Sequence, residues 1–341
     1  MITYTPLNTE ARNVPLRENL KGLEIHRVRW IGQGMFLKLE PYDILWTICL
    51  FPPLFTYTLI FMLRHKVDVI HAHGLVAGSI AGPLSRLFRI RAVISLHGLF
   101  EQQSLLRLLS RFVLMQFDSI LALSERSKRD VVGVGVPEGK VAIYTHWVDQ
   151  SLFRPPFDKN DVRSRLGFKK DSFIVLFVGR LVKRKGVEVL LKVAEECPED
   201  VEFVFAGTGR MESEIKKVSE KLGNVKLVGK VPAENLVNYY GAVDLVATPP
   251  QYDEGFSRVI LESLSCGTPV LVARCLAEMI DESVGRLVDP DATHLYRQIM
   301  QLYKNRDELE KMAMRARNYA EERYSERNAE LIVKTYRGEL R

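Results

Sequence analysis

The chain of 341 residues is long enough for two domains, and its composition, 47% hydrophobic and 26% charged, is typical of a soluble globular protein. No CxxC pair occurs among its four cysteines, so the sequence indicates neither a cysteine zinc site nor a disulfide framework and fits a reducing, cytoplasmic compartment. The start, MITYTPLNTE, lacks a basic region followed by an apolar run, so we expect no signal peptide.

The net charge of +6 is unevenly distributed. Residues 1–150 carry 17 Lys and Arg against 12 Asp and Glu, whereas the remaining residues carry 31 against 30. A basic first half suits an anionic membrane surface or an anionic acceptor. No nucleic-acid partner is predicted, because no helix-turn-helix, zinc finger or aromatic-rich basic strand accompanies the charge.

Short apolar strands alternate with helical segments through the first 150 residues. Residues 23–30, LEIHRVRW, alternate apolar and polar side chains and predict a strand. The segment 105–117 is apolar with Arg107 and Arg111 four residues apart, so it is either a solvated surface helix or a membrane contact. Fully apolar strands between helices predict a parallel sheet with helices on both faces. These strands are predicted at 67–73, 92–97, 118–123 and 141–144.

Residues 44–63, ILWTICLFPPLFTYTLIFML, form an uncharged run of twenty residues. Its length is sufficient to span a bilayer, but Pro52 and Pro53 would interrupt a spanning helix in its middle. Spanning would also place the strand at 23–30 and the strand that follows on opposite sides of the membrane. Three interpretations remain: a spanning segment, a buried helix, and a helix lying on the membrane surface.

The composition changes at 151–170, where prolines and charges replace the apolar pattern, and we place an inter-domain linker at 153–172. A second alternating series follows, and the chain is polar and helical from about residue 293 to its end. Two doubly wound halves joined by a linker predict a cleft between two Rossmann-like domains, with ligands at the carboxyl ends of the strands. The second series of strands is predicted at 173–179, 201–207, 225–229, 244–248 and 269–273.

The stretch 253–270, DEGFSRVILESLSCGTPV, carries two carboxylates between two of these strands, Glu254 and Glu262. Apolar residues at helical spacing, followed by Gly267, predict a short helix over 257–266. Such a strand–loop–helix unit directs free backbone N–H groups beyond the end of the strand, where a phosphate can bind. A carboxylate beside that phosphate can accept hydrogen bonds from sugar hydroxyls, and the second carboxylate can reach a ribose.

This stretch resembles the signature of family 4 of the retaining glycosyltransferases, which is Glu, seven residues, Glu, followed by Gly-x-Pro-Val. The matching residues are EGFSRVILE and SLSCGTPV. The resemblance implies a GT-B α/β fold, in which two Rossmann-like doubly wound domains face each other across a cleft. It implies an acceptor-side domain at 1–152, a donor-binding domain at 173–320 and a carboxyl-terminal helix at 321–341 that crosses back to the first domain.

The family opens with a strand and a Gly-Gly-x-Glu loop before its first helix, and this chain lacks that pattern. MITYT is similar to the end of the family's second strand, so the first strand and helix are expected to be missing. In the family that loop contributes to the phosphate and acceptor side of the cleft, so its absence is expected to impair activity more than the fold.

The resemblance also assigns residues to the donor. After the strand at 173–179, two cations precede a helix, and in the family the matching Gly-Arg and Lys-Gly residues grip the diphosphate, which implies this role for Arg180 and Lys185. The family has a glycine turn at Gly209 that faces the nucleotide, and its nucleobase pocket usually forms near Val231. Donor-binding roles are therefore expected for Gly179, Arg180, Lys185, Gly209, Val231, Gly255, Phe256, Ser257 and Glu262.

Two histidines end predicted strands. The family places a histidine near the donor sugar at the position of His97, so the predicted catalytic residues are His97 and Glu254, and His73 is expected on the acceptor side. No third ligand accompanies the His71-x-His73 pair, so no metal is predicted there. The sequence 289–291, DPD, imitates a metal-binding DxD but lies in a proline turn after GRLV, so it is interpreted as a turn.

The resemblance implies a retaining, metal-independent transfer of a hexose-type sugar from a UDP-, GDP- or ADP-linked donor, without a cofactor. We expect a carbohydrate or lipid-linked acceptor, and a cytoplasmic protein that contacts the inner membrane face peripherally. One alternative is a non-catalytic or truncated protein that binds sugar nucleotides, and another is a sugar-nucleotide epimerase of the same architecture. The residues do not identify a nucleophile: either Glu254 or a front-side attack without a nucleophile would retain configuration.

Overall fold

The computed structural model describes residues 1–5, 14–29, 43–97, 104–252 and 254–339, without the side chains of 43–50 and 104–106. The predicted positions Trp30 and Asp253 lie outside these residues. The chain divides into two compact units. The first contains residues 1–122, 130–142 and 338–341, and the second contains residues 123–129 and 143–337.

The described residues of the first unit form two sheets. The smaller sheet has the order β1-β3-β2, built from β1 (Ile2–Tyr4), β2 (Arg17–Leu20) and β3 (Leu23–Val28). Strands β2 and β3 form an antiparallel hairpin, and β1 is parallel to β3. The residue pattern predicted β3, and the resemblance of MITYT to the end of a family strand predicted β1. Strand β2 was not predicted, because it is a short polar segment (RENL) whose one apolar residue is exposed.

The larger sheet of the first unit has the order β4-β5-β6-β7. All four strands were predicted from their apolar sequences, and β4 is parallel to β5, as is β5 to β6. The strands are β4 (Val69–His73), β5 (Arg91–Leu96), β6 (Ser119–Ala122) and β7 (Val141–Ile143). The helices of this unit are α1 (Asp43–Arg64), α2 (Gly74–Phe88), α3 (Ser104–Leu114) and α4 (Glu125–Gly133), the last of which begins in the second unit.

Helix α1 covers the uncharged run at 44–63 and continues through Pro52 and Pro53, so the prolines do not end it. One side of the helix is buried: Leu54 and Met62 pack in an apolar cluster with Val28 of β3 and with residues of α2. Within the described residues, no helix has the length and apolar character needed to cross a bilayer.

The second unit is built on a six-stranded sheet of order β10-β9-β8-β11-β12-β13, whose neighbouring strands are parallel. Alternate residues of β8 enter two separate cores. Phe173 and Val175 belong to one core, and Ile174 and Leu176 belong to the other. Burial on both faces explains the uninterrupted apolar sequence. The strands are β8 (Phe173–Val178), β9 (Val201–Ala206), β10 (Val225–Gly229), β11 (Leu245–Thr248), β12 (Val270–Ala273) and β13 (Gly285–Val288).

Eight α-helices lie entirely within the described part of the second unit. They are α5 (Lys159–Arg165), α6 (Val187–Glu196), α7 (Glu212–Lys221), α8 (Ala233–Ala242), α9 (Arg258–Ser265), α10 (Ala292–Lys304), α11 (Arg306–Arg323) and α12 (Ala329–Arg337). Parallel sheets with helices, in two Rossmann-like units, confirm the predicted α/β fold.

The predicted linker at 153–172 folds as part of the second unit. It contains α5, whose Arg163 is 5% exposed and donates to the carboxylate of Asp244 at 2.6 Å and to the carbonyl of Ala242 at 2.7 Å. Phe153 and Phe168 enter the core of this unit. The charged sequence therefore forms a buried ion pair rather than a solvated connection.

Candidate active site

Two loops at the carboxyl ends of β8 and β9 support each other. The backbone N–H of Gly179 donates to the carbonyl of Ala206 at 3.0 Å, and that of Leu181 donates to Thr208 at 2.8 Å. A Cβ at Gly207 would lie 1.8 Å from the carbonyl oxygen of Gly179. The glycine turn that contains Gly209 therefore allows the loop carrying Arg180 to approach closely.

The loop after β8 also meets the loop after β11. Gly186 has a φ of +85°, and a Cβ there would lie 2.1 Å from the carbonyl oxygen of Pro249. The N–H of Gln251 donates to the carbonyl of Arg184 at 2.8 Å. The ring of Tyr252 lies under two cations, 5.0 Å from the Arg184 guanidinium carbon and 5.5 Å from Lys185 Nζ. Backbone contacts and a ring thus fix the two loops to each other.

These loops bring Lys185, which the sequence analysis predicted to bind the diphosphate, into contact with Glu254, which it predicted to be catalytic. Lys185 Nζ donates to Glu254 Oε1, and both side chains are largely buried, 21% and 16% exposed. Arg180 is exposed and has no carboxylate partner among the described residues. An ammonium has three donors, so Lys185 can keep Glu254 and also bind a phosphate oxygen.

A cavity of about 250 Å³ opens between these loops. It has three cations and one carboxylate, which favours an anionic ligand such as a diphosphate. Six predicted residues line it: Gly179, Arg180, Lys185, Glu254, Phe256 and Ser257. The other lining residues are Phe177, Val178, Thr248, Pro250, Arg258 and Val259.

Four predicted donor-binding residues lie elsewhere in the second unit. Gly255 lines a separate cavity of about 170 Å³, which shares Phe256 with the first. The N–H of Gly209 donates to the Glu212 carboxylate at 2.7 Å, and Val231 packs against an apolar core. The fourth, Glu262, is 8% exposed.

Glu262 Oε2 accepts a hydrogen bond from the Tyr240 hydroxyl at 2.8 Å. Its Oε1 lies 3.5 Å from Nη2 of Arg258, one turn earlier on α9. Burial raises the pKa of Glu262, and the Tyr240 hydrogen bond and the Arg258 charge act in the opposite direction. In turn, burial and the Glu262 charge raise the pKa of the Tyr240 hydroxyl, so this hydroxyl remains a donor.

One backbone N–H at the start of α9, where free N–H groups were predicted, is already hydrogen-bonded. The N–H of Ser257, the residue that precedes the helix, donates to the thioether sulfur of Met279 at 3.3 Å. The Met279 carbonyl accepts from the hydroxyl of Tyr324. A thioether is a weak acceptor, and no periodic pattern in the sequence connects Met279 to this helix.

Sequence reasoning missed three residues beside the cavity. Arg258 lines the cavity, and its position directly after Ser257 at the start of a predicted helix was an available signal. Tyr252 supports the cations from beneath, and the ring of His146 lies 4.8 Å from that of Phe256. The last two contacts join distant parts of the chain and have no local sequence signal.

In the first unit, three histidines meet at the ends of β4 and β5. His73 Nδ1 lies 2.9 Å from His97 Nε2 with the rings stacked, and His71 Nε2 lies 2.8 Å from Ser95 Oγ. Burial lowers the pKa of all three; for His71 the charges of His73 and His97 contribute as well, and its pKa falls to about 4. These imidazoles are neutral at pH 7, so they can donate or accept a hydrogen bond.

The sequence 289–291 forms a turn and a helix cap. Asp291 accepts from the N–H of His294 at 2.8 Å at the start of α10, and Asp289 accepts from Arg274 at 2.6 Å. The Asp289 and Asp291 carboxylates and the His294 imidazole lie within 4.8 Å of one another. The hydrogen bonds of Asp289 to Arg274 and of Asp291 to the His294 N–H explain why these three side chains lie close together.

Two family models match the chain, one in each half. The model described as Glycosyltransferase Family 4 matches residues 36–152, and the model described as Glycosyl transferases group 1 matches residues 158–323. The two matched ranges together include most of the chain.

Several proteins that are related to this chain in sequence are named as glycosyltransferases. An uncharacterized glycosyltransferase of Methanocaldococcus jannaschii is 27% identical over 81% of this chain and 74% of its own length. A D-inositol 3-phosphate glycosyltransferase of Catenulispora acidiphila is 27% identical over 72% of this chain, which spans 64% of that relative. One of Xylanimonas cellulosilytica is 26% identical over 77% of this chain and 70% of its own length.

Solved structures share the fold. Sucrose-phosphate synthase of Thermosynechococcus elongatus matches with a TM-score of 0.81 at 21% identity, over 99% of this chain and 88% of that one. HepE of Anabaena in complex with UDP matches with a TM-score of 0.76 at 23% identity, over 84% and 82% of the two chains.

Proposed function

We propose that the chain transfers a hexose-type sugar from a nucleotide sugar to an acceptor with retained configuration. The two glycosyltransferase family models, which match residues 36–152 and 158–323, support this proposal. The observation that carries this proposal is the contact between Lys185 and Glu254 at the mouth of a cavity with two further cations, Arg180 and Arg258. This arrangement places diphosphate-binding charge beside one carboxylate that can hold sugar hydroxyls.

The reaction requires stabilisation of the leaving diphosphate as its bond to the sugar breaks. Arg180 presents a planar fork of donors, and Lys185 adds a point charge, so the two together can stabilise the phosphate oxygens without a metal ion. Glu254 accepts from Lys185 and keeps lone pairs for the sugar's hydroxyls. The leaving phosphate takes the acceptor's proton in a front-side attack, which retains configuration and needs no carboxylate nucleophile.

His97 and His73 are proposed for the sugar and acceptor side. Their mutual hydrogen bond fixes both rings, and their lowered pKa keeps them neutral and able to bond a hydroxyl. Relatives named for D-inositol 3-phosphate motivate one acceptor class for this chain, a phosphorylated polyol, which the basic first half would attract. A lipid-linked sugar is the other class.

The chemical test uses the full chain with UDP-glucose, GDP-mannose or ADP-glucose, each with inositol 3-phosphate or a polyprenyl-linked sugar. We expect one pair to release the nucleoside diphosphate and to give an α-linked product by proton NMR, also in the presence of EDTA. A β-linked product, or loss of transfer in EDTA, would contradict retention or metal independence. Conversion of the donor without an acceptor would indicate an epimerase, and binding without turnover a non-catalytic protein.

Peripheral membrane contact is proposed for helix α3. Leu108, Leu109 and Phe112 are 64%, 53% and 70% exposed on this helix, beside the basic residues Arg107 and Arg111. Exposed apolar side chains flanked by arginines suit the interface of an anionic bilayer.

Sedimentation with phosphatidylserine vesicles tests this contact. We expect the chain to bind them at low salt and Leu108→Ser/Phe112→Ser to bind at least tenfold less. Met314→Ser is the control, because Met314 is 66% exposed on α11 and also apolar. Equal binding by all three proteins, or none by the wild type, would remove α3 from the proposal.

A further inference from the structure

Tyr240 is the largest fully buried side chain of the second unit, and its hydroxyl does not serve the apolar core around it. The hydroxyl donates to Glu262, a carboxylate that is itself nearly buried. Removing a hydroxyl from water is unfavourable unless the hydroxyl is hydrogen-bonded, and phenylalanine would fill the same space without that requirement. The tyrosine therefore requires an explanation beyond packing.

We propose that Tyr240 is a positioning residue for Glu262, which it holds so that Oε1 can accept hydrogen bonds from the ribose hydroxyls of the donor. This inference rests on the proposed function, because it assumes that a nucleotide occupies the cavity beside α9. It assigns to α8, which supplies no residue lining that cavity, a share in recognition of the sugar half of the nucleoside.

The two oxygens of Glu262 have different environments. Oε2 is occupied by the Tyr240 hydroxyl at 2.8 Å. Oε1 faces Arg258, whose guanidinium is 3.5 Å away and whose side chain is 71% exposed and lines the cavity. Side chains on a helix lean toward its amino terminus, which is the cavity end of α9. The oxygen without a short hydrogen bond is thus the one next to Arg258, a residue that lines the cavity.

Tyr240 is fixed at its backbone as well as at its hydroxyl. Its carbonyl accepts from Thr268 Oγ1 at 2.7 Å, and the carbonyl of Thr268 accepts from Ser263 Oγ of α9 at 2.8 Å. The ring packs 6.2 Å from that of Phe153. A hydroxyl mounted on such a rigid ring restricts Glu262 to one rotamer, which lowers the entropy cost of binding a ribose.

The test compares nucleotides that differ only in the ribose. UDP, GDP and ADP, each beside its 2′,3′-dideoxy counterpart, are titrated calorimetrically into the wild type and Tyr240→Phe. We expect one base to bind, and Tyr240→Phe to weaken its ribonucleotide about tenfold, the value of one hydrogen bond to a charged group. The dideoxy nucleotide should change less than twofold, because it lacks the hydroxyls that Glu262 binds.

Tyr303→Phe is the matched control. It removes another tyrosine hydroxyl that donates to a carboxylate, that of Asp200, away from the residues lining the cavity. It should leave both affinities unchanged. If Tyr240→Phe does not fold, Thr268→Val replaces it, since it removes only the hydrogen bond to the Tyr240 carbonyl, and a smaller loss restricted to the ribonucleotide is expected.

Equal weakening of the ribonucleotide and the dideoxy nucleotide would show that Tyr240 has only a structural role and would overturn the inference. So would unchanged affinity for both. If the wild type binds no nucleotide, or Arg180→Ala does not weaken binding, the proposed function itself fails. If the wild type binds the ribonucleotide and its dideoxy counterpart equally, Glu262 has no role in ribose recognition, although the diphosphate site remains.

Discussion

Gly186 holds the two loops of the candidate active site together, and replacing it by alanine tests that arrangement. Its φ of +85° costs a residue with a side chain about 1–2 kcal/mol. The added Cβ would also meet the Pro249 carbonyl oxygen at 2.1 Å, and a backbone atom cannot rotate away. Overpacking of this kind costs a further ~1–3 kcal/mol. We therefore expect Gly186→Ala to lower the free energy of unfolding by roughly 2–5 kcal/mol.

The same change should weaken binding of the nucleoside diphosphate at least tenfold, because separating the loops moves Arg180 and Lys185 away from Arg258, with which they line the cavity. Gly167→Ala is the control: Gly167 has a φ of +69°, and nothing lies within 4 Å of its Cβ position. Gly167→Ala should lower the free energy of unfolding only by the cost of the positive φ, and it should leave nucleotide binding unchanged. Urea unfolding and calorimetric titration measure the two effects. Equal unfolding costs, with wild-type affinity in both variants, would refute the reasoning.

Three further outcomes are expected. Glu254→Gln should keep affinity for the diphosphate within about threefold and reduce transfer about 100-fold, a typical loss for one preorganised polar contact to the reacting group; equal loss of binding and transfer would contradict this. Asp244→Asn should cost about 3–5 kcal/mol in urea unfolding, since it leaves Arg163 buried without its charge partner. Burial raises the pKa of Asp244, but the charges of Lys159 and Arg163 outweigh burial and hold this pKa below 3.8 in the folded protein. The stability that Asp244 contributes is therefore present above its unfolded pKa and is lost as the pH falls through its folded pKa. A wild type as stable at pH 3 as at pH 7 would contradict this. The His71 imidazole should titrate at about 4 by NMR, and the stability lost between pH 6.5 and 4 should be partly recovered in His71→Gln.

Local patterns predicted most of the strands because both faces of the six-stranded sheet are buried and the two central strands of the four-stranded sheet, β5 and β6, are also largely buried. The strands of the second unit contain runs such as FIVLFV and VEFVFA, and their predicted bounds differ from the observed ones by one residue or none. Strand β13, GRLV, was not predicted. It has only four residues, and because Arg286 and Leu287 are half-buried, it shows neither a fully apolar run nor a clear alternation of apolar and polar residues. Helix α5 was missed because its buried Arg163 is paired with Asp244, 81 residues away.

The candidate site was predictable where chemistry is local. Arg180, Lys185 and Glu254 each follow a strand, and parallel strands bring their carboxyl ends to one edge of the sheet. Contacts between distant segments were not visible in the sequence. The burial of Glu262 depends on Tyr240, and the close approach at Gly186 depends on Pro249. Neither partner belongs to the sequence motif.

Calorimetric titration of the full chain with UDP, GDP and ADP, beside Arg180→Ala and Glu254→Ala, tests the donor site most directly. We predict that one diphosphate binds the wild type, that Arg180→Ala weakens it at least tenfold, and that Glu254→Ala does not, because Glu254 contacts the sugar rather than the phosphates. Absence of binding by all three nucleotides, or full affinity in Arg180→Ala, would contradict the account.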